Sequence, residues 1–216
     1  MHSFLFSNGE HGLHREERSS ASSQELARLF DKAKVCRNCS LAASRLNVVF
    51  GEGDPLAEIA VIGEAPGAEE DASGRPFTGR SGQLLDKILE AAGFSRQEVY
   101  ICNILKCRPP GNRNPLKDEI RSCMPLLLEQ LQIVRPKVIL ILGKVAANTI
   151  FENSLSLGAI RGKMKAWRGF DCCCTFHPAA VLRNPRLKKE WMEDMQLMTD
   201  HCETLGRKKN ARENEN

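Results

Sequence analysis

The stretch Ile59-Ala60-Val61-Ile62-Gly63-Glu64-Ala65-Pro66-Gly67 decides how the rest of the chain is read. A short apolar run ends in two glycines that bracket a glutamate and a proline. Such a run predicts a buried strand that feeds a tight turn. Glycine has no Cβ, so the backbone can turn sharply there and approach a ligand closely. Downstream, Glu69-Glu70-Asp71 leads into Gly74-Arg75-Pro76-Phe77-Thr78-Gly79-Arg80-Ser81-Gly82. In a mostly parallel sheet, ligands bind beyond the carboxyl ends of the strands, where these residues should sit.

Outward from this stretch, strands and helices alternate. Ser81 to Ala92 predicts a helix with Leu84, Leu85, Ile88 and Leu89 as its apolar stripe, stopped by Gly93. Val99 to Leu105 predicts a second strand, followed by the proline-rich loop Lys106 to Pro115. Leu116 to Val134 is read as mostly helical. Lys137 to Leu142 is nearly continuous in apolar residues, as in a parallel strand covered on both faces. Lys144 to Phe151 is the next helix. Gly169 to Phe176 is the last strand and delivers His177-Pro178 to its carboxyl end, and Pro185 to His201 closes the fold as a helix. Upstream, Gln24 to Lys34 predicts a helix, Asn47 to Phe50 a short strand, and Gly51 to Pro55 a turn. This alternation predicts a small parallel sheet with helices on both faces, whose strand ends share one rim. Glu64, Asn103 and His177 would converge there. Residues 1–23 are expected as a loose arm, 24–205 as the folded unit and 206–216 as a disordered tail.

Composition narrows the function. The chain has 216 residues and a formal charge of +4, so overall charge argues only weakly for nucleic acid and the placement of bases matters more. There is no apolar run of about 18 residues, so no membrane span is expected. The N-terminal segment lacks the pattern of a secretory signal, which favours a cytoplasmic setting. No G-x-G-x-x-G or G-x-x-x-x-G-K-[ST] sequence follows a strand, which disfavours a nucleotide-binding fold. Nine cysteines are an odd number, and with no export signal they predict ligation rather than disulfides. Cys36 and Cys39 form a C-x2-C pair, and Cys107 and Cys123 are separated by fifteen intervening residues. Four thiolates suit zinc or a [4Fe–4S] cluster. Such a centre would pin the N-terminal segment against the Cys107 loop. Adjacent residues of a strand face opposite ways, so Cys172, Cys173 and Cys174 are read as small buried hydrophobes.

Three blocks, GEAPGAEEDASGRPFTGRSG, YICNILKCRPPGNRNP and HPAAVLRNP, together resemble the family 4, iron–sulfur-containing uracil-DNA glycosylases. The resemblance runs from about Leu29 to Glu193. It implies a three-layer α/β/α sandwich around a four-stranded parallel sheet. It also implies a [4Fe–4S] cluster on Cys36, Cys39, Cys107 and Cys123. The activity implied is that of a monofunctional glycosylase, which flips deoxyuridine out of DNA and leaves an abasic site. Phe77 would stack the base and Asn103 would read its edge, beside the backbone from Ala65 to Gly67. His177 would donate to the departing base, and Glu64 would orient water or stabilise the cationic sugar, with Glu70 in reserve. Better-known uracil glycosylases carry an aspartate one position beyond Glu64, where this chain has Ala65. Arg75, Arg80 and Ser81 would meet phosphates, as would the basic loop Lys106 to Arg113 and the run Arg161 to Arg168. Leu182-Arg183 resembles a wedge that fills the vacated stack. The partner would be uracil-containing single- or double-stranded DNA, bound by a monomer near the nucleoid. A uracil-DNA binding protein that traps its ligand through a loop histidine is disfavoured, because Arg108 to Pro115 has none. A zinc module without catalysis would leave Glu64, Phe77, Asn103 and His177 with no common purpose.

Overall fold

The structure is a computed structural model and describes residues 7–213, with side chains from Arg15 to Gly206. The two ends of the expected arm and tail, residues 1–6 and 214–216, lie outside it. In chain order the elements are α1 (Ser7–Lys34), β1 (Glu52–Gly53), β2 (Ile59–Gly63), α2 (Ala68–Ser73), α3 (Arg80–Ala91) and β3 (Tyr100–Asn103). They continue with α4 (Lys117–Val134), β4 (Val138–Leu142), α5 (Lys144–Ile150), α6 (Leu157–Ile160), β5 (Met164–Trp167), β6 (Phe170–Thr175), α7 (Pro178–Arg183) and α8 (Lys188–Glu213). The helix expected from Gln24 begins at Ser7, and the closing helix starts at Lys188 after a separate short turn of helix at Pro185–Leu187.

The sheet differs from the expected four parallel strands. It has six strands in the order β1-β3-β2-β4-β6-β5. The inner four are parallel, whereas β1 pairs antiparallel with β3, and β5 antiparallel with β6. The correction lies wholly at the edges. Glu52-Gly53 reads as part of a turn, yet a Cβ on Gly53 would lie 1.8 Å from the Val99 carbonyl oxygen, so its backbone lies directly against β3. Met164 to Trp167 sits in a basic stretch, and the turn into β6 is the two-residue loop Arg168-Gly169, both at positive φ as in type I′ hairpins. Short, charged edge strands protect a sheet from further pairing, and the same features hide them from hydropathy patterns.

β2, β3 and β4 are buried along their whole length, and β6 from Cys172 onward, because helices cover both faces. Ala60, Ile62, Cys102, Ile139, Ile141, Cys172 and Cys174 point to one face, where α1, α4, α5 and α6 pack. Ile59, Val61, Ile101, Val138, Leu140 and Cys173 point to the other, under α3, α7 and α8. The three cysteines of β6 thus divide between two cores as side-chain alternation requires, and burial pushes all three thiols up to about 12. The chain winds from β2 to β3 on one side and then crosses to β4 on the other. Their carboxyl ends open onto one rim, the crevice that this topology creates.

Candidate active site

A cavity of about 470 Å³ occupies that rim. Glu64 and Ala65 reach it from the end of β2, Asn103 from the end of β3, and His177 from just beyond β6. Phe77, Gly67 and Glu70 line it from the loop and helix after β2, and Ser81 from the first turn of α3. Gly63 makes this convergence possible. A Cβ there would stand 2.3 Å from Asn103 Oδ1 and 2.6 Å from Phe77 Cζ, so only hydrogen leaves room for the amide and the ring together.

Asn103 is 1 % exposed, and neither its Oδ1 nor its Nδ2 has a hydrogen-bond partner among the described residues. Leaving a buried amide unmatched costs about 1–3 kcal/mol for each unsatisfied group, so such a group is characteristic of a site that meets its partner elsewhere. Its backbone carbonyl accepts from Lys106 Nζ at 2.7 Å, which fixes the strand end while the side chain faces the cavity.

His177 is the N-cap of α7, and its Nδ1 accepts from the Ala179 N–H at 3.2 Å. Burial lowers its pKa to about 4, with the nearby Arg183 acting in the same direction and Glu70 opposing. The ring is therefore neutral at physiological pH. With Nδ1 accepting, the proton resides on Nε2, which leaves a neutral N–H donor. The ring centroid lies 5.8 Å from that of Phe77.

The Glu64 side chain is half-buried with no salt bridge among the described residues, and burial raises its pKa. Its backbone is held, since the Leu105 N–H donates to the Glu64 carbonyl at 3.1 Å. Glu70 is differently placed. Its carboxylate accepts from the backbone N–H groups of Gly67, Thr78 and Gly79 at 3.0, 3.2 and 3.3 Å. It splices the two glycine-containing loops together. Ala65 offers only a methyl group and a backbone to the cavity.

Residues 50–197 match the uracil DNA glycosylase superfamily. The chain is 40% identical over 181 residues to a type-4 uracil-DNA glycosylase of Pyrobaculum aerophilum, an alignment covering 80% of this chain and 92% of that one. It is 43% identical over 184 residues to the type-4 uracil-DNA glycosylase of Sulfurisphaera tokodaii, covering 81% and 84% respectively. The chain belongs to the type-4 uracil-DNA glycosylases. A type-5 uracil-DNA glycosylase of Pyrobaculum aerophilum is more distant, at 31% over 146 residues, 60% of this chain and 64% of the other.

In this type-4 enzyme the four cysteines of the sequence pattern surround a single second cavity, shared with Arg45 and Lys106. Cys36 and Cys39 follow α1, Cys107 follows β3, and Cys123 projects from α4. Arg45 Nη1 donates to Cys107 Sγ and the Lys106 N–H to Cys123 Sγ, each at 3.3 Å. Burial pushes the Cys123 thiol up to about 11 and raises Cys107 as well, and these donors pull both thiols the other way. Donors aimed at sulfur suit thiolate ligands. The thiols ring the cavity; among the described residues no three His, Cys, Asp or Glu side chains gather tightly enough to hold one metal ion.

The basic residues separate into two groups. Arg80 and Arg183 are exposed, Arg183 lines the rim cavity, and Leu182, 39% exposed, lies beside it on α7. Arg75 is exposed but chelated by Glu52 at 2.8 and 3.0 Å, so a phosphate there must compete with a carboxylate. Arg161 is not a free phosphate contact. It pairs with Asp194 at 2.9 Å and Glu190 at 3.1 Å, and so ties α6 to α8. Arg113 also lines the cavity, held by the buried Glu119. The run of basic residues from Lys106 to Arg113 drew attention to this loop, but no local pattern marked its partner. No helix among the described residues is long and apolar enough to cross a membrane.

Proposed function

We propose that the rim cavity is where this enzyme, a uracil-DNA glycosylase, removes uracil from DNA, and that residues 24–205 carry the whole of that machinery. The observation that supports this reading most directly is Asn103, a buried amide with donor and acceptor both unspent at the end of β3. Uracil O4 requires a donor and N3–H an acceptor, and one amide supplies both. Cytosine presents the opposite pair, so it would leave the amide unmatched in a site closed to water.

The deoxyuridine must leave the duplex to reach the cavity, and Phe77 stacks on its ring there. The bond from N1 to C1′ breaks with its electron pair going to the base. Negative charge develops on N1 and O2, and the neutral Nε2–H of His177 donates to O2 as that charge grows. The sugar becomes oxocarbenium-like at C1′. The Glu64 carboxylate stabilises that charge and orients a water, whose oxygen bonds to C1′ while its proton passes to bulk water, and the released uracil anion takes up a proton from solvent. No lysine side chain lines the cavity, so water completes the reaction and the strand remains intact. Glu70 is held by amide donors and serves this chemistry by shaping the loops. Arg80, Ser81 and Arg183 meet the phosphates around the flipped nucleotide, and Leu182 enters the gap it leaves.

Cys36, Cys39, Cys107 and Cys123 hold a [4Fe–4S] cluster in this reading. The two directed donors and the four sulfurs around one cavity support thiolate ligation there, and the likeness to the type-4 family favours the cluster over a single tetrahedral ion. When bound, the cluster supplies a cross-link between the end of α1, α4 and the loop after β3. The enzyme acts as a monomer on single- or double-stranded DNA in the cytoplasm, at the nucleoid. The test of the reading is Asn103→Asp. That variant should lose much of its preference for uracil over cytosine in oligonucleotides, scored by abasic-site formation. Full retention of the preference would show that uracil is read elsewhere.

A further inference from the structure

Arg96 lies in the connection from α3 to β3, outside the rim cavity, and its side chain is 14% exposed. One guanidinium there joins three parts of the molecule. Nε and Nη2 pair with Glu52 of the edge strand β1 at 2.9 and 2.8 Å. Nη1 pairs with Asp86 of α3 at 2.9 Å. The remaining donor capacity goes to two successive carbonyls, those of Pro76 and Phe77, the latter at 3.4 Å. These are the carbonyls on either side of the Phe77 Cα.

Phe77 needs such a hold. Its φ is 51°, in the left-handed region that bulky side chains rarely occupy. The ring stands over Gly63 and faces His177, while the Phe77 backbone presses on α3, where a Cβ on Gly82 would come within 1.7 Å of the Phe77 oxygen. A strained conformation persists only where its surroundings over-determine it, and here it belongs to a residue that lines the cavity. Glu52 remains charged to orient the guanidinium. Burial alone would raise its pKa, but hydrogen bonds from Arg75 and Arg96 bring it below the usual carboxylate value.

We propose that Arg96 is a positioning residue for uracil capture: by holding the Pro76 and Phe77 carbonyls it keeps Phe77 left-handed, with its ring across the cavity. The proposal rests on the reading of Phe77 as the stacking platform. Arg96 acts only through that ring. A lysine cannot replace it, because an ammonium lacks the planar fork that reaches both carbonyls and both acids.

The test compares Arg96→Ala, Arg96→Lys, Phe77→Ala and the double variant Arg96→Ala with Phe77→Ala. Affinity for a duplex carrying an uncleavable deoxyuridine analogue is measured beside single-turnover uracil release and thermal unfolding. Arg96→Ala should weaken analogue binding by about 10- to 100-fold, the loss expected when a base loses its aromatic stacking partner. Arg96→Lys should recover little of that loss. In the Phe77→Ala background the same Arg96→Ala change should cost less than about twofold, because the interaction it supports is already gone. A merely structural role would add its full cost in either background, which would overturn the proposal; loss of the Glu52 and Asp86 pairs lowers the melting temperature in both cases, so the non-additivity decides. A crystal structure of Arg96→Ala gives an arm independent of stacking: Phe77 should leave the left-handed region, and a ring still in place at positive φ would also overturn it. If Phe77→Ala captures the analogue normally, the stacking platform itself is refuted, and the crystal structure still decides what Arg96 does to the backbone. Should Arg96→Ala not fold, Glu52→Gln loosens the same guanidinium and should show the same non-additivity with Phe77→Ala.

Discussion

His177→Ala separates binding from chemistry more sharply than any other change to this pocket. The ring is neutral, with its proton on Nε2, so in the proposed ground-state complex it would give uracil O2 one ordinary hydrogen bond. Such a bond is worth about 1 kcal/mol net, or about fivefold in affinity. In that reading the same N–H would face a growing anion as N1 departs, and removal of one donor of that kind slows comparable reactions by about 100- to 1,000-fold. His177 also caps α7, and a lost cap costs about 1 kcal/mol of stability. For a chain of this size that lowers the melting temperature by about 2–4 °C, too little to empty the folded state. The assay is single-turnover cleavage with enzyme in excess, paired with the dissociation constant for an uncleavable analogue. Cleavage should fall far more than binding. The wild-type rate should also show no inflection near the ordinary histidine pKa, since the donor form persists down to about pH 4. Equal losses in rate and affinity would refute the transition-state role, and an inflection near pH 6.5 that vanishes in the variant would refute the neutral donor.

Glu64 has a raised pKa from burial, so its ionised form is lost as pH falls through a value above that of an ordinary glutamate. Uracil release should decline on that acid side, and Glu64→Gln should remove the limb while slowing the reaction at neutral pH by about 100-fold or more; an unchanged limb in the variant would assign it to another group. Protein purified without oxygen should be brown and contain iron and sulfide, and Cys107→Ser should lose both and melt earlier; stoichiometric zinc without iron would disprove the cluster. Arg80→Glu combined with Arg183→Glu should reduce the salt dependence of duplex binding by about two charges' worth of counterion release, and an unaltered slope would place the phosphates elsewhere.

The inner sheet was legible because a parallel strand buried on both faces writes itself as an uninterrupted apolar run. Ile59 to Ile62 and Val138 to Leu142 are such runs. The places where those runs stop put Glu64, Asn103 and His177 on one rim. The edges were hidden. β1 is two residues long and contains a glycine, and β5 carries Lys165 and turns through Arg168. Charged side chains were also hard to assign, because their partners are distant in sequence. Nothing near Arg161 announces Asp194, and nothing near Arg96 announces Glu52. A basic residue committed to the fold therefore looks the same in the sequence as one waiting for phosphate. Glu70 illustrates the converse: its acidic neighbours suggest a solvated or catalytic carboxylate, while its three amide contacts come from Gly67 and from Thr78 and Gly79 further along the chain.

The order in which the strands lie has a bearing on how the enzyme comes into being. β2 pairs with β3 and with β4, and β4 in turn with β6, so every neighbour relation at the rim closes a loop of dozens of residues. Contacts of such long range form late and slowly during folding. Glu64 and His177 belong to opposite ends of that sequence of events, and the latter leaves a ribosome well after the former. A chain that has not yet delivered β6 therefore lacks His177, even where Glu64, Phe77 and Asn103 have already been made. The rim is complete only when β6 joins β4 and brings His177 opposite Phe77.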